Sequence, residues 1–171
     1  MKGMDAWRGE VLLFTLFVLR MATLLVTGEK YPPVRPALTS QKGDAVHIPD
    51  GMLSTPVALV ADFGAAGLIA HATTWVKRHL SEQKIVLMAV LGALIFALQM
   101  LNFPVAGGTS GHFLGAALAA ILVGFWPTVI IMAAVLGIQC LVFSDGGVLA
   151  YGANLLNMGI IAGLVGWASI A

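Results

Sequence analysis

Two short stretches carry the residue types most able to do chemistry. They are Val46-His47-Ile48-Pro49-Asp50-Gly51 and Gly107-Gly108-Thr109-Ser110-Gly111-His112, whose histidines stand sixty-five residues apart. Each holds one histidine, and imidazole is a ligand for nickel, copper, cobalt and zinc. Two such rings that meet could hold one divalent ion. Pro49 stiffens the first stretch, and Asp50-Gly51 has the makings of a turn. Gly107, Gly108 and Gly111 let the second backbone come close to a ligand. The hydroxyls of Thr109 and Ser110 could bond to an imidazole nitrogen and set its tautomer. The other two histidines have plainer surroundings: His71 lies in an apolar run and reads as a packing or interface residue, and His79 lies among basic residues and reads as solvated.

Catalysis fits less well. Gly108-Thr109-Ser110-Gly111 matches the G-x-S-G pattern of intramembrane serine proteases, but such a serine needs a base from another helix. No histidine follows His112. The phosphate-binding pattern G-x-x-x-x-G-K-[ST] does not occur, so the chain does not hydrolyse ATP alone and is not expected to be an enzyme.

The elements that must position these residues are membrane helices. Of 171 residues 59% are hydrophobic and 10% charged, against about 25% charged in an ordinary soluble domain. Mean hydropathy is +0.95. The net charge of +1 argues against nucleic acid as a partner. The single Cys140 excludes a disulfide framework, and the twenty glycines suggest close helix packing. The fold class expected is all-α, a polytopic bundle of about five core spans in a lipid bilayer. These run near 55–76, 85–103, 112–125, 128–143 and 152–171. Pro104 ends the second, 105–111 forms a loop, His112 starts the third helix, and Trp126-Pro127 closes it. Residues 1–45 form an extension: an apolar segment at 11–26 broken by Arg20, then a linker with Pro32, Pro33 and Pro36. Residues 46–171 form the core domain.

Orientation follows from charge. Beyond Thr55 the only Lys and Arg are Lys77, Arg78 and Lys84, all between the first two spans. The positive-inside rule places that loop in the cytoplasm, which puts both His47 and His112 outside. Asp62, Gln99, Asn102, Gln139, Asn154 and Asn157 then fall in the outer halves of their spans. Asn154 and Asn157, three residues apart, are expected on one helix face. Polar side chains in a bilayer are expensive and face bundle interiors or sites, so the set looks like a capture site open to the outside. Interhelical hydrogen bonding that only fixes packing is the alternative.

Three motifs taken in order carry a family resemblance. They are Val46–Gly51, Asn102–His112 and Gly152-Ala153-Asn154-Leu155-Leu156-Asn157-Met158-Gly159, and they resemble the cobalt/nickel uptake family (CbiM/NikM) over residues 46–171. The resemblance implies the substrate-capture subunit of an energy-coupling-factor transporter, a multi-pass protein of a bacterial or archaeal cell membrane. Its partners would be a coupling transmembrane subunit, ATPase subunits and a small accessory membrane subunit. No resident cofactor is implied; Co2+ or Ni2+ is the transported ion, for cobalamin synthesis or nickel metalloenzymes. The implied ligands are four nitrogens in a plane: the amine of residue 46, the amide and imidazole of His47, and the imidazole of His112. Asn102, Thr109, Ser110, Asn154 and Asn157 would support them. A planar nitrogen set suits nickel or copper, and these donors do not separate cobalt from nickel.

In the family the chain begins Met-His, whereas here Val46 is internal and has no free amine. Three histories are open: cleavage after Ala45, a retained extension with an altered metal set, or translation that starts at Val46. The last is favoured. Valine can be written GTG, a bacterial start codon, and Lys42-Gly43-Asp44 can encode a ribosome-binding sequence at the usual distance. Family members also carry further helices beyond the last one here. The other candidate functions are capture of an organic vitamin and a purely structural subunit. The first would need aromatic stacking surface, of which the outer halves offer little beyond Phe103 and Tyr151.

Overall fold

The computed structural model describes residues 47–101, 103–105 and 109–170, with the backbone alone at 104–105 and 109–110. Val46, Asn102, the 1–45 extension with its apolar segment, and the side chains of Thr109 and Ser110 therefore lie outside the described residues.

The chain is a helical membrane protein. Helix α1 is Thr55–His79, with Pro56 in its first turn, where a missing N–H costs nothing. Lys77, Arg78 and His79 lie in its last turn, where cations favour the helix dipole. After two residues α2 begins (Glu82–Gln99), with Glu82 in its first turn. Two short antiparallel strands follow, β1 (Phe103–Val105) and β2 (Thr109–Gly111), with Phe103 opposite Gly111. Helices α3 (Ala116–Val123) and α4 (Phe125–Val142) come next. The last helical run is α5 (Tyr151–Asn154), a π-helical segment (Leu155–Ile161) and α6 (Ala162–Ala168), joined without a break.

Among the described residues α1, α2 and α4 are long and apolar enough to cross a membrane. The other two expected spans take different forms. The third was read as 112–125, but its helix is the eight-residue α3, about 12 Å long and less than half a bilayer core. Glycines delimit it: Gly115 and Gly124 take φ of +75° and +91°, a region other residues rarely adopt. A side chain at Gly115 would also overlap Ile95. His112 consequently does not start a helix; it sits in the irregular stretch between β2 and α3. The 105–111 loop is partly a hairpin arm, and the second span stops at Gln99 rather than 103.

Helix α4 is the centre. It packs on α1, α2, α3, α5, α6 and the π segment, and it buries Thr128, Val129, Met132, Leu136 and Gln139. Although only Leu80 and Ser81 separate α1 from α2, the two do not pack on each other; both lie on α4. Their outer faces are apolar, with Phe63 73% exposed, which suits lipid rather than water. Lipid removes the hydrophobic drive for helix association, so close backbone approach matters more. It is present at two glycines. A side chain at Gly166 of α6 would overlap the backbone of Ala117 in α3, and one at Gly152 would overlap the backbone of Asp62 in α1.

Candidate metal centre

Three chain segments meet at one end of the bundle: 47–54 ahead of α1, the stretch between β2 and α3, and 144–150 between α4 and α5. A dense set of hydrogen bonds docks the first on the third. Gly147 N–H donates to the carbonyl of Ile48 at 2.9 Å. The Asp50 carboxylate accepts the N–H groups of Val148 (3.1 Å) and Leu149 (2.8 Å). Asn154 grips both polar groups of Ile48, accepting its N–H at 2.9 Å and donating to its carbonyl at 3.1 Å. Gly51 turns the chain with φ +88°, as the Asp-Gly pair suggested. Gly146, at φ +102°, lies so close that a side chain there would press on His47. Asp62 of α1 accepts Gly152 N–H at 2.6 Å, which ties α5 to the same end.

His47 is 4% exposed. Its Nδ1 lies 2.8 Å from Asp145 Oδ1. An ionised carboxylate only accepts hydrogen bonds, so in the neutral ring Nδ1 carries the proton and Nε2 keeps the lone pair. That Nε2 is buried and has no hydrogen-bond partner among the described residues. His112 is half-buried, and its Nδ1 donates to the carbonyl of Phe113 at 2.9 Å, which again leaves Nε2 as the lone-pair atom. Burial pushes the pKa of His112 below its ordinary value; the Phe113 carbonyl pulls upward, and the neighbouring His47 adds to the lowering. The two rings have centroids 5.3 Å apart, inclined by 33°.

The arrangement is thus two imidazoles side by side, each with Nδ1 engaged and Nε2 left over, with Asp145 behind one of them. A carboxylate behind a metal-binding histidine fixes the ring and raises its basicity. Among the described residues no group of three or more His, Cys, Asp or Glu is placed to hold a metal ion.

The structure distributes the expected site residues unevenly. It brings His47, His112 and Asn154 together. It sets Asn157 apart: the side chain is exposed and makes no hydrogen bond among the described residues. The expectation of one shared face assumed α-helical spacing. Within the π-helical segment a turn takes more residues, so three positions fall well short of one turn. Thr109 and Ser110 have their backbone in β2. The four-nitrogen set also meets an obstacle. A histidine can share a metal between its own amide nitrogen and Nδ1, through a six-membered chelate, but not with Nε2, which points away from the backbone. Nδ1 of His47 is occupied by Asp145, so that set requires the ring to leave Asp145.

Sequence reasoning passed over Asp145 as part of a connecting loop. The signal available was its position on the same side as both histidines, one turn from the end of α4. It also left Gln99 and Gln139 as generic polar residues. They form a buried pair, with Gln139 Nε2 donating to Gln99 Oε1 at 3.0 Å and Gln99 Nε2 donating to the Leu114 carbonyl at 2.7 Å.

Known proteins share this chain's sequence and fold. The family model for the cobalt uptake substrate-specific transmembrane region, CbiM, matches residues 47–171. A provisionally named metal transport protein of Haloquadratum walsbyi is 44% identical over 122 residues, 71% of this chain and 56% of that one. The fused nickel transport protein NikMN of Rhodobacter capsulatus is 39% identical over 121 residues, 70% of this chain and 35% of that one. A crystal structure of a truncated transition metal transporter superposes with a TM-score of 0.66 at 38% identity, covering 71% of this chain and 57% of that chain. The chain spans about half the length of the curated relatives it matches. Everything from His47 onward, the two histidines included, falls inside the matched region, and the chain belongs to the CbiM family of cobalt uptake transmembrane proteins.

Proposed function

We propose that this chain captures Co2+ or Ni2+ at the external face of the membrane, as the substrate-binding part of an energy-coupling-factor importer. The observation that carries the reading is the His47–His112 pair: two imidazoles at 5.3 Å, one with a buried, unpartnered Nε2. A lone pair sealed from water without a donor is costly unless a cation takes it up. Electrostatics supports the same end. Asp50, Asp62 and Asp145 gather there, while the three Lys and Arg beyond Thr55 sit around the α1–α2 link. That separation draws divalent cations to the histidines. The positive-inside rule makes the histidine end external.

Entry into the cell would be driven by ATPase subunits through a coupling transmembrane subunit, with a small accessory membrane subunit. The name of the fused relative NikMN fits association with at least one further component. A mature chain that begins at residue 46 would add an amine and an amide nitrogen to the two imidazoles. The test is metal analysis of the purified chain after exposure to Co2+ and Ni2+, beside His47→Ala and His112→Ala. Retention of metal by both variants sinks the assignment. Intact mass of the same sample decides whether residue 46 is the terminus.

A further inference from the structure

Gln99 is 1% exposed and Gln139 is 0% exposed, two primary amides sealed inside an apolar bundle. An amide pair that served only to join α2 to α4 would satisfy itself across the two helices. This pair does not. Gln139 donates to Gln99, and Gln99 turns its own donor to the carbonyl of Leu114, outside both helices and two residues beyond His112. Gln139 Oε1 is left buried with no partner among the described residues. An unsatisfied buried acceptor is destabilising, so packing alone is a poor reason to keep it. The main chain of Gln139 has a second attachment: its carbonyl accepts the N–H of Asp145 at 3.0 Å, and Asp145 holds His47. One residue of α4 is therefore linked through its side chain to the support of His112 and through its carbonyl to the support of His47.

We infer that Gln99 and Gln139 are positioning residues that set the spacing of the His47–His112 pair and thereby the affinity of the site for its ion. The inference rests on the proposed capture role of the two histidines. Loss of an outer partner of a metal ligand typically costs 10–100-fold in affinity. The amides touch no ion themselves. Gly115 reinforces them on the far side of Leu114, since its positive φ and its contact with Ile95 leave that stretch little freedom.

The test uses the full chain labelled with 15N-histidine, with Co2+ as the probe. In Gln99→Met the metal-free spectrum is expected to show shifted His112 resonances and unmoved His71 and His79. Co2+ is expected to bind about 10–100-fold more weakly, with an altered visible absorption band. Gln139→Met is expected to move His47 as well as His112. If Gln99→Met does not fold, Gln99→Glu replaces it, because an ionised carboxylate still accepts from Gln139 but cannot donate to Leu114. His112 resonances that coincide with those of the unaltered chain, or unchanged Co2+ binding in the variants, overturn the inference. A wild-type chain that binds no Co2+ fails the capture role instead, and the metal-free spectra still decide the positioning claim.

Discussion

The two ends of this bundle are built from different materials. At the histidine end four acidic or amide side chains are tied to backbone or to another side chain: Asp50 to the Val148 and Leu149 N–H groups, Asn154 to Ile48, Asp62 to Gly152, Asp145 to His47. At the opposite end the charges of Lys77, Arg78 and Lys84 are exposed. Rings meet there: Trp75 stacks on His79 at 4.6 Å and accepts its Nδ1–H at the backbone carbonyl (2.8 Å), and His71 meets Trp126 at 4.4 Å. Amphipathic rings and free cations suit a membrane–water boundary. The contrast separates two kinds of histidine. His71 and His79 meet tryptophan rings, and His79 also has Nδ1 on the Trp75 carbonyl, with its side chain exposed. His47 and His112 have Nδ1 held as well, but their rings lie side by side and His47 is buried. A held Nδ1 does not by itself set a candidate ligand apart; two rings brought together, one of them buried, do.

The contrast can be broken directly. His47→Ala or His112→Ala is expected to lower Co2+ or Ni2+ retention by more than about 100-fold, beyond the range for loss of an outer partner. His71→Ala and His79→Ala are expected to leave it unchanged. Metal content by mass spectrometry decides, and loss in the second pair would erase the distinction. Asp145→Ala is expected to weaken binding about 10–100-fold, with Asp145→Asn less severe because it retains an acceptor for Nδ1; calorimetric titration of both variants reads this. Asn154→Ala leaves the Ile48 N–H without its side-chain partner and is expected to destabilise by roughly 1–3 kcal/mol. Proteolytic nicking ahead of α1 should rise in step, and a chain as resistant as the original would show that Asn154 does not secure the His47 segment. Gly115→Ala, which combines a positive φ with a clash, is expected to cost about 1–3 kcal/mol and to loosen His112. Thermal melting in detergent checks that value, and a melting temperature like the original's would show that the backbone there adapts.

Much of this organisation was legible in the residues. Composition and the basic residues at 77–84 were enough for a helical membrane protein and for placing both histidines at one end. The family motifs named the pair. Other features were hidden for physical reasons. Apolar periodicity does not show where a helix stops, so α3 looked like a span until Gly115 and Gly124 proved to lie at positive φ. The contribution of Asp145 depends on Gly147 docking on Ile48, a contact between positions 99 residues apart that no local pattern reveals. Asn157 was misplaced because helical spacing was taken as α throughout.

The π-helical segment has a consequence for how the two halves of the last run move. Upstream, Gly152 and Asn154 are pinned to α1 and to the His47 segment. Downstream, Gly166 is pinned to α3. The number of residues between these pins is set by the gene, and their angular offset is set by packing. The wider π turns absorb the mismatch, as a vernier reconciles two scales. A small rotation of Asn154 would be taken up inside Leu155–Ile161, while the lipid-facing side chains of α6 keep their bearing.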